Sequence, residues 1–192
     1  MRNAFLFRRR TLALALIATA FAVAAVGAAV AAATSSTPAG GSIHIFGTSP
    51  GTGGGGKALI TGAIGDHGTS LTVNKAGKPN SNGSYVKLTL TRGTIMLNKT
   101  KLDANVNRAF GSLVVNSATC SYAVVASGAL PVVGGTGTYT GISGTADITV
   151  SAGFVLPRYT SGAHAGKCNE SNSAQPTASL QVVDGTGTVS FS

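Results

Sequence analysis

The chain reads as an all-β protein, and three observations predict it. Past residue 34 no stretch repeats apolar residues at i, i+3, i+4 and i+7 over three turns, so no long amphipathic helix is expected. Short runs rich in Val, Ile, Thr and Tyr recur between clusters of Gly and Asn, which is the pattern of half-buried strands separated by turns. About eight such runs follow one another at spacings near a dozen residues. An even number near eight lets a sheet close on itself and removes the edges that would recruit other chains. The expected fold is an eight-stranded antiparallel β-barrel; a two-sheet sandwich makes the same pattern and is the competitor.

The elements follow in order. Residues 42–47 (Ser-Ile-His-Ile-Phe-Gly) alternate as a short strand, and residues 50–56 form a flexible glycine-rich loop. Residues 57–64 and 69–74 give two strand pieces, interrupted at Gly65-Asp66-His67-Gly68 by a bulge or a turn. Residues 75–84 are polar, contain Pro79 and form a loop. Residues 85–91 and 93–97 predict one long strand bent at Gly93. Residues 99–107 are rich in charge and Asn with weak periodicity, so an irregular connection or one short helical turn is expected. Residues 112–115 and 120–127 are further strands, and residues 139–155 suit a strand pair or one strongly coiled strand. Residues 158–177 are loop. At the end of the chain residues 179–183, Asp184-Gly185 and residues 186–191 spell a hairpin, because Asp-Gly readily takes φ > 0.

Ahead of the barrel, Arg8-Arg9-Arg10 precedes an uncharged Ala, Leu and Val run to Ala33 that ends in Ala-x-Ala patterns, the layout of a secretory signal. The organisation expected is a leader over residues 1–33, a flexible N-terminal segment with one short strand over 34–56, and one barrel domain over 57–192. The protein is thus expected outside the cell, touching a membrane only through an uncleaved leader. Setting aside Arg2, Arg8, Arg9 and Arg10 takes the formal charge from +9 to +5, which removes most of the case for a nucleic-acid partner. The two cysteines, Cys120 and Cys168, both lie in the exported part, where an oxidising compartment permits a disulfide between them.

Motifs for catalysis fail on context. Residues 51–57 come within one residue of a phosphate-binding loop, but Ala58 stands where Ser or Thr would ligate Mg²⁺ and no helix follows. Residues 47–51 match Gly-x-Ser-x-Gly, yet run into polyglycine instead of a helix. Neither Cys nor His recurs at metal-ligand spacing, and no motif implies a cofactor. Asp66-His67 is the one acid and imidazole pair, sitting where a strand breaks. Neighbours on a strand point to opposite faces, so at most one of the two looks into a barrel unless a bulge re-aims both. The plainer alternative is a turn Asp hydrogen-bonding its own backbone.

Residues 130–144, Leu-Pro-Val-Val-Gly-Gly-Thr-Gly-Thr-Tyr-Thr-Gly-Ile-Ser-Gly, carry the most information. Their order of Gly, Thr and aromatic resembles the Val-Val-Gly-Gly-Thr-Gly-x-[Phe/Tyr]-x-Gly-x-x-Gly segment of the dirigent and allene oxide cyclase-like superfamily, where it joins two barrel strands. Residues 60–68 and 85–97 look like the preceding strands of bacterial members. The resemblance implies an eight-stranded antiparallel barrel, often trimeric, with an apolar cavity. Plant members fold reactive lipid epoxides or steer phenoxyl-radical coupling with cavity carboxylate, Tyr or Arg groups. Tyr139 fills the motif's aromatic position, while the Asp-rich strand of plant dirigent proteins has no counterpart.

The function expected is non-catalytic binding of a small apolar or aromatic molecule inside the barrel, with Asp66, His67, Arg92 and Tyr139 as candidate ligand-binding groups and no catalytic residue assigned. One alternative is a cyclase or coupling guide acting by confinement. The other is an envelope or matrix protein whose barrel is packed solid.

Overall fold

Strand alternation dictates the architecture. The computed structural model describes residues 39–49, 55–171 and 173–192. Within them β1 (Gly41–Ser49), β2 (Gly56–Gly62), β3 (Asp66–Val73), β4 (Tyr85–Leu90), β5 (Gly93–Asn98), β6 (Ser121–Gly137), β7 (Ile142–Val155) and β8 (Ala178–Phe191) form one closed barrel in sequence order, each strand antiparallel to the next. β1 closes it against β8, from Gly41↔Val189 to Ser49↔Gln181. The barrel therefore begins at Gly41, not at residue 57: the first strand is a stave of the wall and not part of a flexible lead-in. The leader and residues 50–54, with most of the glycine-rich loop and part of each motif match there, lie outside the described residues.

Inward positions carry the core. Ile43, Ile45, Ile60, Leu88, Ile95 and Ile148 are all buried. Each such side chain contributes roughly 1.5–3 kcal/mol on leaving water.

The two ends differ. Tight turns join β2 to β3, β4 to β5 and β6 to β7, all at one end, the base. The long connections all emerge at the other end, the mouth. β6, β7 and β8 have 17, 14 and 14 residues against six to eight in β2 through β5. β5 pairs with β6 only as far as Leu97↔Val132, so the first half of β6 has no strand beside it on that side. A helix, α1 (Thr100–Gly111), lies there instead and covers the edge.

This helix corrects the expectation of an irregular connection over 99–107. Its apolar stripe is only Leu102, Val106 and Phe110, one residue per turn, too narrow to stand out in a polar segment. Leu102 is buried, and Phe110 packs edge-on against Tyr122 and Phe154, which stack on each other at 4.8 Å. Gly128 makes the fit possible, since a Cβ there would sit 2.9 Å from the Leu102 Cα. Asn105 Nδ2 donates to the Ser127 carbonyl at 2.7 Å and holds the helix to the strand.

Three further expectations are corrected. Residues 85–97 are not one bent strand but a two-residue hairpin, β4 turning through Thr91-Arg92 into β5 with Leu90↔Gly93 as its last pair. Residues 112–115 are not a strand; α1 occupies the edge they would have paired with, and Val114 is exposed. The Asp184-Gly185 hairpin does not form, because β8 runs straight through it with β1 on one side and β7 on the other. Gly185 serves close approach, not a turn: a Cβ there would lie 2.5 Å from the Asp147 carbonyl oxygen. Residues 139–155, open between two readings, are a tight turn at 138–141 followed by the single strand β7.

Cys120 and Cys168 form the expected disulfide, with an S–S distance of 2.06 Å across 48 residues of sequence. It ties the start of β6 to the connection between β7 and β8. Arg158 reinforces the tie, donating to the Ala118 and Gly166 carbonyls at 2.6 Å each. Such a bridge is compatible with an extracellular protein. Among the described residues no helix is long and apolar enough to cross a membrane, which says nothing of the barrel.

Candidate functional site

At the base, three turns are knotted by one carboxylate. Asp66 opens β3 with its side chain inward, and it is 4% exposed. Its Oδ1 accepts from the His67 amide at 2.7 Å, the Thr91 amide at 3.3 Å and the Thr91 hydroxyl at 2.5 Å. Its Oδ2 accepts from the Arg92 amide at 3.2 Å and the Tyr139 hydroxyl at 2.5 Å. The carboxylate thereby caps the β4–β5 turn and anchors the β6–β7 turn. Tyr139, in that turn, is fully buried and plugs the base. Arg92 spans the same junction: its guanidinium donates to the Ile64 carbonyl and to the Gly65 carbonyl at 3.0 Å. Its Nε lies 3.5 Å from Asp66 Oδ2, and its charge sits 5.9 Å from the centre of the Tyr139 ring.

These contacts fix the protonation states. Burial pushes the Asp66 carboxyl up, but hydrogen bonds from Thr91, Tyr139 and the amides of His67 and Arg92 outweigh it and hold the group well below the usual carboxylate range. Burial, the hydrogen bond to Asp66 and the charge of Asp66 push the Tyr139 phenol up to about 12, against the opposing influence of Arg92. At neutral pH Asp66 is ionised and Tyr139 protonated, with neither near a proton-transfer range.

Three of the four sequence-predicted residues thus come together, and the fourth does not. His67 is exposed and points to the outer wall, as its place next to an inward Asp66 requires. None of the four lines the cavity. The carboxylate does hydrogen-bond its own following amide, as a turn Asp would, and it also reaches two turns distant in sequence. The barrel above the knot is solid: the void among Ile43, Ile60, Ile95, Ile142 and Val189 is about 10 Å³.

Toward the mouth the lining changes. Inward positions here are Gly47, Ala58, Ser70 and Thr72, and a cavity of about 260 Å³ opens beneath α1. Its apolar walls include Ile45, Leu88, Leu102, Val106 and Val150. Ser70, Thr72 and Gln181 bring polar atoms to it, and Lys99 and Asp103 line it from the start of α1, with Nζ and Oδ2 2.6 Å apart.

Sequence reasoning expected a cavity but missed the residues that line it, because β3 is inverted. Pairing Ser70↔Leu88 and Thr72↔Val86 turns the polar residues inward and Leu71 and Val73 outward, against hydrophobic pattern. Val73 stays buried because the connection over residues 74–84 folds back over it, bridging at Pro79. A pair 140 residues apart was also out of reach: on the outer wall His44 Nε2 lies 2.9 Å from Asp184 Oδ1, the imidazole resting on Phe46 at 4.0 Å. Among the described residues no three His, Cys, Asp or Glu side chains are placed to hold a metal.

No protein-family model, curated protein or solved structure matches the chain.

Proposed function

We propose that the protein is an exported binding barrel that holds one small apolar or aromatic molecule in the cavity beneath α1, without transforming it. The observation that carries this reading is the change of lining along the barrel axis. Ile and Leu fill the lower half to a void of about 10 Å³, whereas Gly, Ala, Ser and Thr leave about 260 Å³ in the upper half. The space lies close to the roughly 300 Å³ at the lower end of small-molecule sites. It opens at the end where the long connections gather, the usual place for binding on a barrel. A ligand the size of an aromatic side chain buries about 150–250 Å². At about 25 cal/mol per Å² that is worth roughly 4–6 kcal/mol before the cost of association.

Export is supported by the leader pattern and by the disulfide. Membership of the dirigent and allene oxide cyclase-like superfamily is part of the same proposal. The closed eight-stranded barrel supports it, as does residues 130–144 forming the end of β6, a tight turn and the start of β7. Asp66, Arg92 and Tyr139 enter this reading as the base that keeps the barrel in shape, and the cavity residues take the role of ligand contacts.

The test is calorimetric titration of the purified protein with indole, benzyl alcohol, naphthalene and short-chain fatty acids, alongside Ala58→Phe, which fills the cavity. Saturable binding lost in the variant, with its melting temperature kept, supports the reading. No binding by any of these, or binding equal in the variant, overturns it.

A second reading has its own observation. Threonines face outward in one row across four strands, Thr69↔Thr89↔Thr94↔Thr136, with the last two hydroxyls 2.8 Å apart. A packed lower half and such a regular polar exterior favour an envelope or matrix protein, and the absence of any ligand in the titration would select it.

A further inference from the structure

The charged side chains that face the cavity are Lys99 and Asp103, at the start of α1; Lys57, next to the inward Ala58, is exposed on the outer wall. Lys99 and Asp103 are unequal partners. The lysine side chain is 15% exposed and the aspartate 40%, so the lysine side chain is the more enclosed of the two. Among the described residues Asp103 is the hydrogen-bond partner of Lys99 Nζ, and an ammonium has three donors, so Lys99 can serve a further acceptor at the wall of a largely apolar space. An ammonium with donors to spare attracts a negatively charged acceptor, and the apolar walls attract hydrocarbon.

We infer that the cavity recognises a small monoanionic amphiphile, an aromatic or short-chain carboxylate, with its carboxylate on Lys99 and its hydrocarbon against Ile45, Ala58, Leu88, Leu102 and Val150. This inference rests on the binding reading above and narrows it. The cavity volume limits the hydrocarbon to one ring or a short chain. Ser70 and Thr72, on the wall contributed by β3, add hydroxyls to the lining. Asp103 holds the ammonium in place and leaves the carboxylate of the ligand as its second acceptor.

The test compares two probes of nearly equal shape, 3-phenylpropionate and 3-phenylpropan-1-ol, titrated into the purified protein at one pH and ionic strength. The acid should bind about tenfold or more tightly than the alcohol, the usual advantage of a charge-assisted hydrogen bond. Lys99→Met should bring the acid down to the level of the alcohol, Lys99→Arg should keep the preference, and Asp103→Asn should keep or increase it. Equal affinity of the two probes for the unaltered protein overturns the anion and leaves the binding barrel standing. Binding of neither probe overturns both. A Lys99→Met variant that weakens acid and alcohol by the same factor makes Lys99 a part of the wall and overturns its role as an anchor. The comparison on the unaltered protein needs no variant to fold.

Discussion

The Tyr139 hydroxyl donates to Asp66 Oδ2 at 2.5 Å, joining residues 73 apart in sequence at the buried base of the barrel. That bond closes a cluster in which one carboxylate accepts from five donors on three segments. Tyr139→Phe removes one donor and keeps the ring that plugs the base, so a loss of about 1.5–3 kcal/mol is expected for a hydrogen bond to a charged group. Asp66→Ala strands the Thr91 and Arg92 amides and the Tyr139 hydroxyl together, and should cost more than Tyr139→Phe. Urea unfolding of the three proteins checks the order, and a Tyr139→Phe midpoint equal to that of the unaltered protein would refute it.

The same pair predicts how stability depends on pH, with opposite signs at the two ends. The Asp66 carboxyl is lowered in the folded state, so its contribution is present above the unfolded value of about 4 and is lost as pH falls below it. The Tyr139 phenol is raised to about 12, so its contribution is complete below the unfolded value of about 10 and is lost as pH rises from there through 12. Two units correspond to roughly 2–3 kcal/mol. Melting temperatures between pH 2 and pH 11 should fall at both ends, and Tyr139→Phe should flatten the alkaline side. An alkaline limb unchanged in that variant would assign the loss to another group.

Closure by eight strands is legible in the alternation of the chain, because period-two runs separated by turns leave few other ways to bury one face. The limits of individual strands are less so. Asp184-Gly185 carries a strong turn signal, yet β1 and β7 flank it on both sides and tertiary pairing overrides local preference. The Thr91-Arg92 turn has no such signal of its own, since the group that caps it is Asp66, 25 residues away. Asp66, Arg92 and Tyr139 are legible as unusual residues in a Gly-rich, Thr-rich chain, but their role depends on which turns meet at one end. The cavity is least legible of all. It exists because Ser70 and Thr72 face inward, a register that the apolar Leu71 and Val73 argue against and that only the folded connection over residues 74–84 permits.

Reduction of Cys120–Cys168 should lower stability by about 3–4 kcal/mol, from the entropy regained by a chain no longer closed over 48 residues. The effect should be largest in the connection between β7 and β8, which loses its covalent tie, while pairing among β1 through β5 persists. Calorimetry with and without reductant measures the first expectation, and hydrogen exchange across residues 156–177 measures the second. Uniform exchange throughout the chain on reduction would mean that the barrel depends on the bridge as a whole.

The position of α1 should depend on Gly128, because the helix approaches β6 closely enough that a Cβ would sit 2.9 Å from the Leu102 Cα and 3.1 Å from its amide nitrogen. Both obstructing atoms are backbone, so no side chain can turn aside, and Gly128→Ala must push the helix outward. Overpacking of this kind costs roughly 1–3 kcal/mol. Displacement should loosen Leu102 from the cavity wall and Phe110 from Tyr122 and Phe154, weakening any ligand held beneath the helix. The expected result is faster proteolysis within residues 100–111, with the Asp66 and Tyr139 cluster at the far end unaffected and the alkaline stability limb unchanged. Protection of α1 equal to that of the unaltered protein would mean that the helix accommodates the methyl group, and that its contact with β6 does not set the roof of the cavity.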